Sequence, residues 1–296
     1  MEEQYFKNKS EERKYKAILT FKFILVYLVL LFFAIFTLVP FVWMIFSSFK
    51  STAEIQDTTV AATLFPKVWT NNYKIFFDSN QKYFEIWRFM LNTILVGFTS
   101  TILTVVVTIL AAFAFARLSF KGRETIFSIL LATMMIPGEM MIITNFTTVA
   151  NLGWLDTYVA LIVPFISSVF YTFFLRQNFK QIPDELYYAA KVDGVNDFKY
   201  LFNVMIPIAR PAIITVTILS MIGSWNAYIW PRTVTSRSEM KLVTNGIMEL
   251  FRNDQGLINT NYVMAGMVLV SIPLLLTFVI FKKYIMNGVS RAGIKG

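Results

Sequence analysis

The sequence predicts an all-α integral membrane protein: six transmembrane helices in one domain over residues 1–296, with a polar elbow between the fourth and the fifth. Three observations predict it. The chain is 56% hydrophobic and only 15% charged, whereas an average soluble domain carries about 25% charged residues. Six apolar segments approach or exceed the roughly 20 residues that cross a hydrocarbon core about 30 Å thick. Lys and Arg are also concentrated in alternate connections, the bias that marks cytoplasmic loops.

The first span is Phe23–Phe46. It exceeds the 7–15 residues or so of a signal-peptide core, and no small-residue cleavage site follows it, so it reads as a retained helix. The second, Phe89–Ala116, is free of charge along its length. The third, Thr125–Phe146, is interrupted by Pro137-Gly138-Glu139. The fourth, fifth and sixth are Thr157–Leu175, Ala212–Trp230 and Tyr262–Phe281.

With the N-terminus inside, the cytoplasmic pieces are the tail 1–22, the loop 117–124, the stretch 176–210 and the tail 282–296. They hold 18 basic and 9 acidic residues, and the remainder of the chain holds 9 of each. The net charge of +9 is therefore a topology signal and implies no nucleic-acid partner. Outside, residues 47–88 are rich in aromatics (Trp69, Tyr73, Phe76, Phe77, Tyr83, Phe84, Trp87), as in an interfacial aromatic belt. Residues 231–261, with Arg232, Arg237, Glu239, Lys241, Glu249, Arg252 and Asp254, read either as a solvated loop or as a docking surface for an extracytoplasmic partner.

The chain has no Cys and no His. That excludes disulfides, Fe–S sites, thiol nucleophiles, HExxH metalloproteases and Ser-His-Asp triads. No Gly-Lys pair occurs, so there is no Walker A loop to cradle a nucleotide phosphate.

Spanning does not explain residues 183–206. Pro183 suits a first helical position, and Asp184 and Glu185 come next, where acids favour the positive end of the helix dipole. Gly194 suits a left-handed C-terminal cap, Asn196 or Asp197 an N-cap, and Pro207 and Pro211 end or kink the second helix ahead of the fifth span. The pattern predicts a helix, a Gly turn and a second helix.

The order Ala189-Ala190-x-x-Asp193-Gly194, then Phe198, then Ile206-Pro207-x-x-x-Pro211 resembles the EAA loop of ABC importer permeases. Trp225-Asn226-Ala-Tyr228 and the end Gly288-Val-Ser-Arg-Ala-Gly-Ile-Lys-Gly296 are similar to the MalG-like, carbohydrate-uptake branch of that family, as are Asn71-Asn72-Tyr73 and Leu91-Asn92-Thr93. The likeness covers residues 65–296, and the first span by position only. It implies the MalG-like permease fold, with Glu185, Tyr188, Ala189, Ala190, Asp193, Gly194, Phe198 and Pro207 in a coupling helix that docks on an ATP-hydrolysing subunit. It implies that Arg291, Lys295 and Gly296 reach the same subunit, the other reading being a frayed end.

The implied partners are a second permease in a heterodimer, a dimer of ATP-binding subunits, an extracytoplasmic solute-binding protein, a carbohydrate and the lipid membrane. This chain binds no cofactor itself; ATP and Mg belong to the partner ATPase. The setting is the plasma membrane of a bacterium or archaeon, with both termini cytoplasmic. One position departs from the pattern: Tyr188 stands where the family usually has Glu, so the charge that meets a basic residue on the ATPase is missing.

Along the path, Glu139 is the one ionisable residue within an apolar stretch. It either reaches water at the outer end of the third span or faces the translocation path. Met134, Asn145, Trp225, Asn226 and Tyr228 are further path candidates, the aromatics suited to sugar rings and the amides to hydroxyls; packing in the core is their other reading. An ion-coupled secondary transporter of a small polar solute is the alternative function, although such folds show internal repeats and midplane acids. An intramembrane enzyme lacks the residues for its chemistry.

Overall fold

The computed structural model describes residues 9–57, 63–251 and 259–293, and among them every regular element is helical. Two compact units are present, one made of Met1–Tyr73 with Asn259–Val268 and the other of Lys74–Ile258 with Leu269–Gly296.

The first unit is built on α1, Lys9–Ser47. Its 39 residues extend about 58 Å at 1.5 Å each, well beyond the apolar run of the first span. None of its most apolar stretch is buried, which fits a helix bathed in lipid or covered by another subunit. Beyond it the chain folds tightly. Ser51 caps α2 (Thr52–Gln56) in a reciprocal capping box with Glu54. Buried Asn72 donates its amide to the carbonyls of Ser48 and Lys50, each at 2.8 Å. Trp69 packs against Phe46 and Phe49, and Phe46 against Phe65. Trp69, one of the aromatics expected in an interfacial belt, makes these ring contacts and still remains exposed.

The second unit is organised around α3, Ile86–Arg117. In lipid, helices associate through close van der Waals contact and polar side chains at the interface, since apolar burial gains little there. α3 follows this rule, burying Thr93, Gly97, Ser100, Thr101, Thr104, Thr108, Ala112 and Ala116 on one stripe. A Cβ on Gly97 would sit 3.4 Å from the Met221 sulfur, an ordinary contact, so α11 (Arg210–Trp225) packs against this stripe through flexible side-chain atoms. Thr104 Oγ1 donates to the Phe165 carbonyl at 3.3 Å.

Among the described residues, three helices are long and apolar enough to cross a membrane: Arg13–Ser47, Lys82–Arg117 and Thr260–Ile280, the last within α14 (Thr260–Gly293). Three bent pairs bring the number up to six if each pair is counted as one span; the break expected in the third span is present, and the fourth is bent too. The third breaks by 87° between α4 (Arg123–Thr133) and the segment Gly138–Asn151, which contains α5 (Ile142–Asn151). Pro137 has no amide to donate, and the chain ahead of it turns through short backbone bonds from Met134, Met135 and Ile136 to Leu131, Ala132 and Thr133. The fourth bends by 44° between Tyr158–Phe165, opened by α6 (Tyr158–Ile162), and α7 (Val169–Lys180). Pro164 stands before this bend, and Ser168 caps α7 by accepting from the Tyr171 amide.

The fifth ends at Trp225, short of the Trp230 expected. Asn226–Tyr228 turn the chain into α12 (Ile229–Val234). The described part of the loop 231–261 is not simply solvated either: it continues into α13 (Val243–Leu250), whose Val243, Ile247 and Leu250 are buried. Asn92 of α3 donates to the carbonyls of Glu239 and Lys241 at 2.7 and 3.0 Å and accepts from Tyr158 at 2.8 Å. Arg252 and Asp254 lie outside the described residues.

Candidate functional site

The elbow forms as its sequence dictates, with one shift of register. Pro183 is the N-cap of α8 (Asp184–Val192), not its first helical residue. Asp193 closes the helix, Gly194 adopts φ +73°, and two backbone bonds finish the turn: Gly194 to Lys191 at 3.1 Å and Val195 to Ala190 at 2.9 Å. This is the Schellman arrangement, which needs a left-handed residue after the helix. Asn196 then caps α9 (Asp197–Tyr200) by accepting from the Lys199 amide at 2.8 Å. A π-helical turn, Leu201–Met205, and α10 (Ile206–Ile208) come next. The chain bends by 82° between Asp197–Ile208 and α11, with Pro207 and Pro211 on either side of the break at Ala209.

Side chains lock the two arms together. Asp197 accepts from the Tyr187 hydroxyl at 2.7 Å and pairs with Lys191 at 2.8 Å. The hydrogen bond to Asp197 holds the Lys191 ammonium above the ordinary lysine pKa. Tyr187, Ala190 and Val195 pack inward on a core of Ala112, Phe113 and Ala116 from α3, Leu175 and Phe179 from α7, and Tyr200, Leu201 and Met205.

The opposite face has no such cover. Tyr188 is 64% exposed, Val192 88% and Phe198 67%, with Ala189, Glu185, Asp193, Gly194 and Pro207 also exposed. The paired alanines divide, Ala189 outward and Ala190 inward. This face presents Tyr188, Ala189, Val192 and Phe198 among charged residues of both signs, Glu185, Asp193, Lys191 and Lys199. A Cβ on Gly194 would meet nothing within 4 Å, so the glycine is there for its backbone and not for space.

Two arginines that count in the sequence only as topology charges lie at the root of the elbow: Arg117 reaches the elbow itself, and Arg176 ties together the neighbouring ends of α3, α4 and α7. Arg117, the last residue of α3, pairs with Asp184 at 2.8 Å and donates to the carbonyls of Phe179 and Ile182 at 2.8 and 2.5 Å. Arg176 of α7 donates to both oxygens of Glu124 at 2.8 and 2.7 Å and to the Phe115 carbonyl at 3.0 Å, and lies 4.0 Å over the Phe127 ring. Their position at the ends of apolar runs is visible in the sequence, but their partners are not.

The path candidates fall in two places. Met134 and Glu139 are exposed at the α4–α5 break, and Asn145 is half-buried on α5. At the end of α11, Asn226 is exposed, while Tyr228 stacks under Arg232 and hydrogen-bonds it. Trp225 is 3% exposed, so its ring packs in the interior. Lys295 and Gly296 lie outside the described residues, as does the side chain of Arg291.

Residues 104–291 match the family model described as the binding-protein-dependent transport system inner membrane component. The chain is 31% identical to the arabinooligosaccharides transport system permease protein AraQ of Bacillus subtilis, covering 95% of this chain and 96% of that protein. It is 30% identical to the diacetylchitobiose uptake system permease protein NgcG of Streptomyces coelicolor, over 88% and 85% of the two chains. Against the sn-glycerol-3-phosphate transport system permease protein UgpE of Shigella flexneri the identity is 30%, over 68% and 72%. The fold is that of a chain in the crystal structure of a bacterial ABC transporter involved in the import of the acidic polysaccharide alginate, with a TM-score of 0.76, 22% identity and coverage of 94% of this chain and 99% of the other. The chain thus belongs to the binding-protein-dependent transport system inner membrane components, a family of multi-pass permease subunits that carry out transport and are not enzymes.

Proposed function

We propose that this chain is one of two permease subunits of an ATP-driven importer for a carbohydrate, an oligosaccharide above all. The elbow at 183–206 is the element through which ATP hydrolysis on a separate subunit moves the bundle. The carrying observation is the elbow's outward face, with Tyr188, Ala189, Val192 and Phe198 uncovered on a turn that is locked from within. A preformed apolar projection fits a cleft without having to be ordered on docking. The relatives named for arabinooligosaccharide transport and diacetylchitobiose uptake support the sugar class.

In this reading the elbow faces the cytoplasm, as do both termini, and a dimer of ATPase subunits holding ATP and Mg closes on it. Residues Arg291, Lys295 and Gly296 run toward that interface. A second permease completes the path, and a solute-binding protein delivers the sugar from outside. Glu185 and Asp193 on the rim take over the charge pairing left open by Tyr188. Met134, Glu139, Asn145, Asn226 and Tyr228 remain accessible for the path, and Trp225 supports its wall from behind.

The test is co-expression with candidate ATPase, permease and binding-protein subunits, measuring ATP hydrolysis in lipid across mono- and oligosaccharides. Stimulation by an oligosaccharide is expected; a chain that co-purifies with no ATPase overturns the reading. Gly194→Val should abolish ATPase co-purification while membrane insertion persists, because a β-branched residue resists a left-handed φ.

A further inference from the structure

A coupling element transmits force only if it cannot give way at its own attachment. Two arginines at the root of the elbow bear on this. The side chains of Arg117 and Arg176 are each 4% exposed, and burying a guanidinium is costly unless its donors are occupied. Arg117 spends its two terminal nitrogens on three acceptors, the last turn of α7 through the Phe179 carbonyl, the connection through Ile182, and the first residue of α8 through Asp184, while its Nε is buried without an acceptor. It thereby joins three chain segments at one planar group. Arg176 joins α7 to α3 through Phe115 and to α4 through Glu124, with its guanidinium over the ring of Phe127. Lys180 and Arg123 add further cationic contacts to the same Glu124.

We propose that Arg117 and Arg176 are positioning residues which make the elbow and the adjoining ends of α3, α4 and α7 one rigid lever, so that displacement of α8 reaches the bundle undiminished. The planar fork explains why arginine is used: a lysine ammonium could hold Asp184 but could not also keep both carbonyls in fixed directions. The Lys191–Asp197–Tyr187 lock does the same across the Gly194 turn, so that no joint within the elbow is left loose. This rests on the coupling role proposed above, and its test separates the two.

The chain has no native cysteine, so spin labels can be placed at Val192→Cys and Ser128→Cys, both exposed positions, with no background. In the isolated chain in lipid nanodiscs, the distance distribution between them should be narrow, and broaden clearly in Arg117→Gln and Arg176→Gln. Asp184→Asn, which alters only the exposed partner, should broaden it less and serves if the arginine variants do not fold. Equal widths in all folded variants overturn the lever whether or not an ATPase binds. In the assembled transporter, the wild-type distance should hold between nucleotide-free and ATP-bound states; a change of more than about 5 Å, one helical turn, overturns it. The variants should keep ATPase co-purification and hydrolysis while transport per ATP falls about 2- to 30-fold, the range for lost coupling energy. Arg117→Lys should restore part of the transport, and full restoration would show that charge alone suffices and sink the argument from the fork. Loss of ATPase binding by the wild type with a narrow distribution would remove the coupling role and leave the lever standing.

Discussion

At the scale of single residues, several buried polar side chains are fixed by partners far along the chain, although a few atoms such as Arg117 Nε and the Tyr200 hydroxyl are buried without one. Asn92 has both faces of its amide engaged, donating to Glu239 and Lys241 and accepting from Tyr158. Asn92→Leu should cost about 1–3 kcal/mol, the penalty for stranding buried acceptors, read as a lower melting temperature in detergent. Gly246 is constrained by space: a Cβ there would lie 2.5 Å from the Phe89 ring, which is itself buried. Gly246→Ala should destabilise by about 1–3 kcal/mol, as overpacking does, and Phe89→Leu should recover part of the loss in the double variant. Glu54 gives a pH dependence. Burial alone would raise its carboxyl, but the amides of Ser51, Lys67 and Val68 and the charge of Lys50 outweigh that and hold it below the usual glutamate value. A depressed folded pKa stabilises above the unfolded value of about 4.3 and loses that contribution as pH falls through the folded pKa. Hydrogen exchange at Lys67 and Val68 should therefore accelerate as pH drops below about 4 relative to intrinsic rates, and Glu54→Gln should abolish the acid step. An unchanged profile in the variant would discount the carboxylate.

At the scale of elements, the breaks matter more than the helices. The elbow was legible because each signal acts locally: Gly194 provides the left-handed residue, Asn196 the cap, and Pro207 and Pro211 the bend. Asn196→Ala should cost about 1 kcal/mol and loosen α9 more than α8, measurable as local hydrogen exchange with the rest of the bundle unaffected. The 87° and 44° bends were less legible. Pro137-Gly138 marked the place of the break in the third span but not its angle, because composition records how apolar a stretch is and not where its axis points. The aromatics of 46–73 show the same limit. The sequence lists the rings of this stretch, but only the fold shows which of them pack on Trp69.

At the scale of the whole molecule, the charge distribution predicts an orientation. Single cysteines in this cysteine-free chain make it directly measurable. Val192→Cys should react with a membrane-impermeant maleimide only in inverted vesicles, and Val68→Cys only in whole spheroplasts; the reverse pattern would overturn the assignment of sides. Sequence alone identifies a membrane-embedded chain, its apolar runs and the elbow, since hydropathy and capping residues act through local chemistry and need no knowledge of neighbours. The tertiary structure settles that Arg117 clamps the elbow while Arg176 ties α7 to α3 and α4, which of the two alanines faces outward, and that Trp225 packs inside. Each of those depends on segments dozens of residues apart in the chain, Arg117 meeting Ile182 and Arg176 meeting Phe115, and a buried guanidinium must find its acceptors wherever the fold brings them.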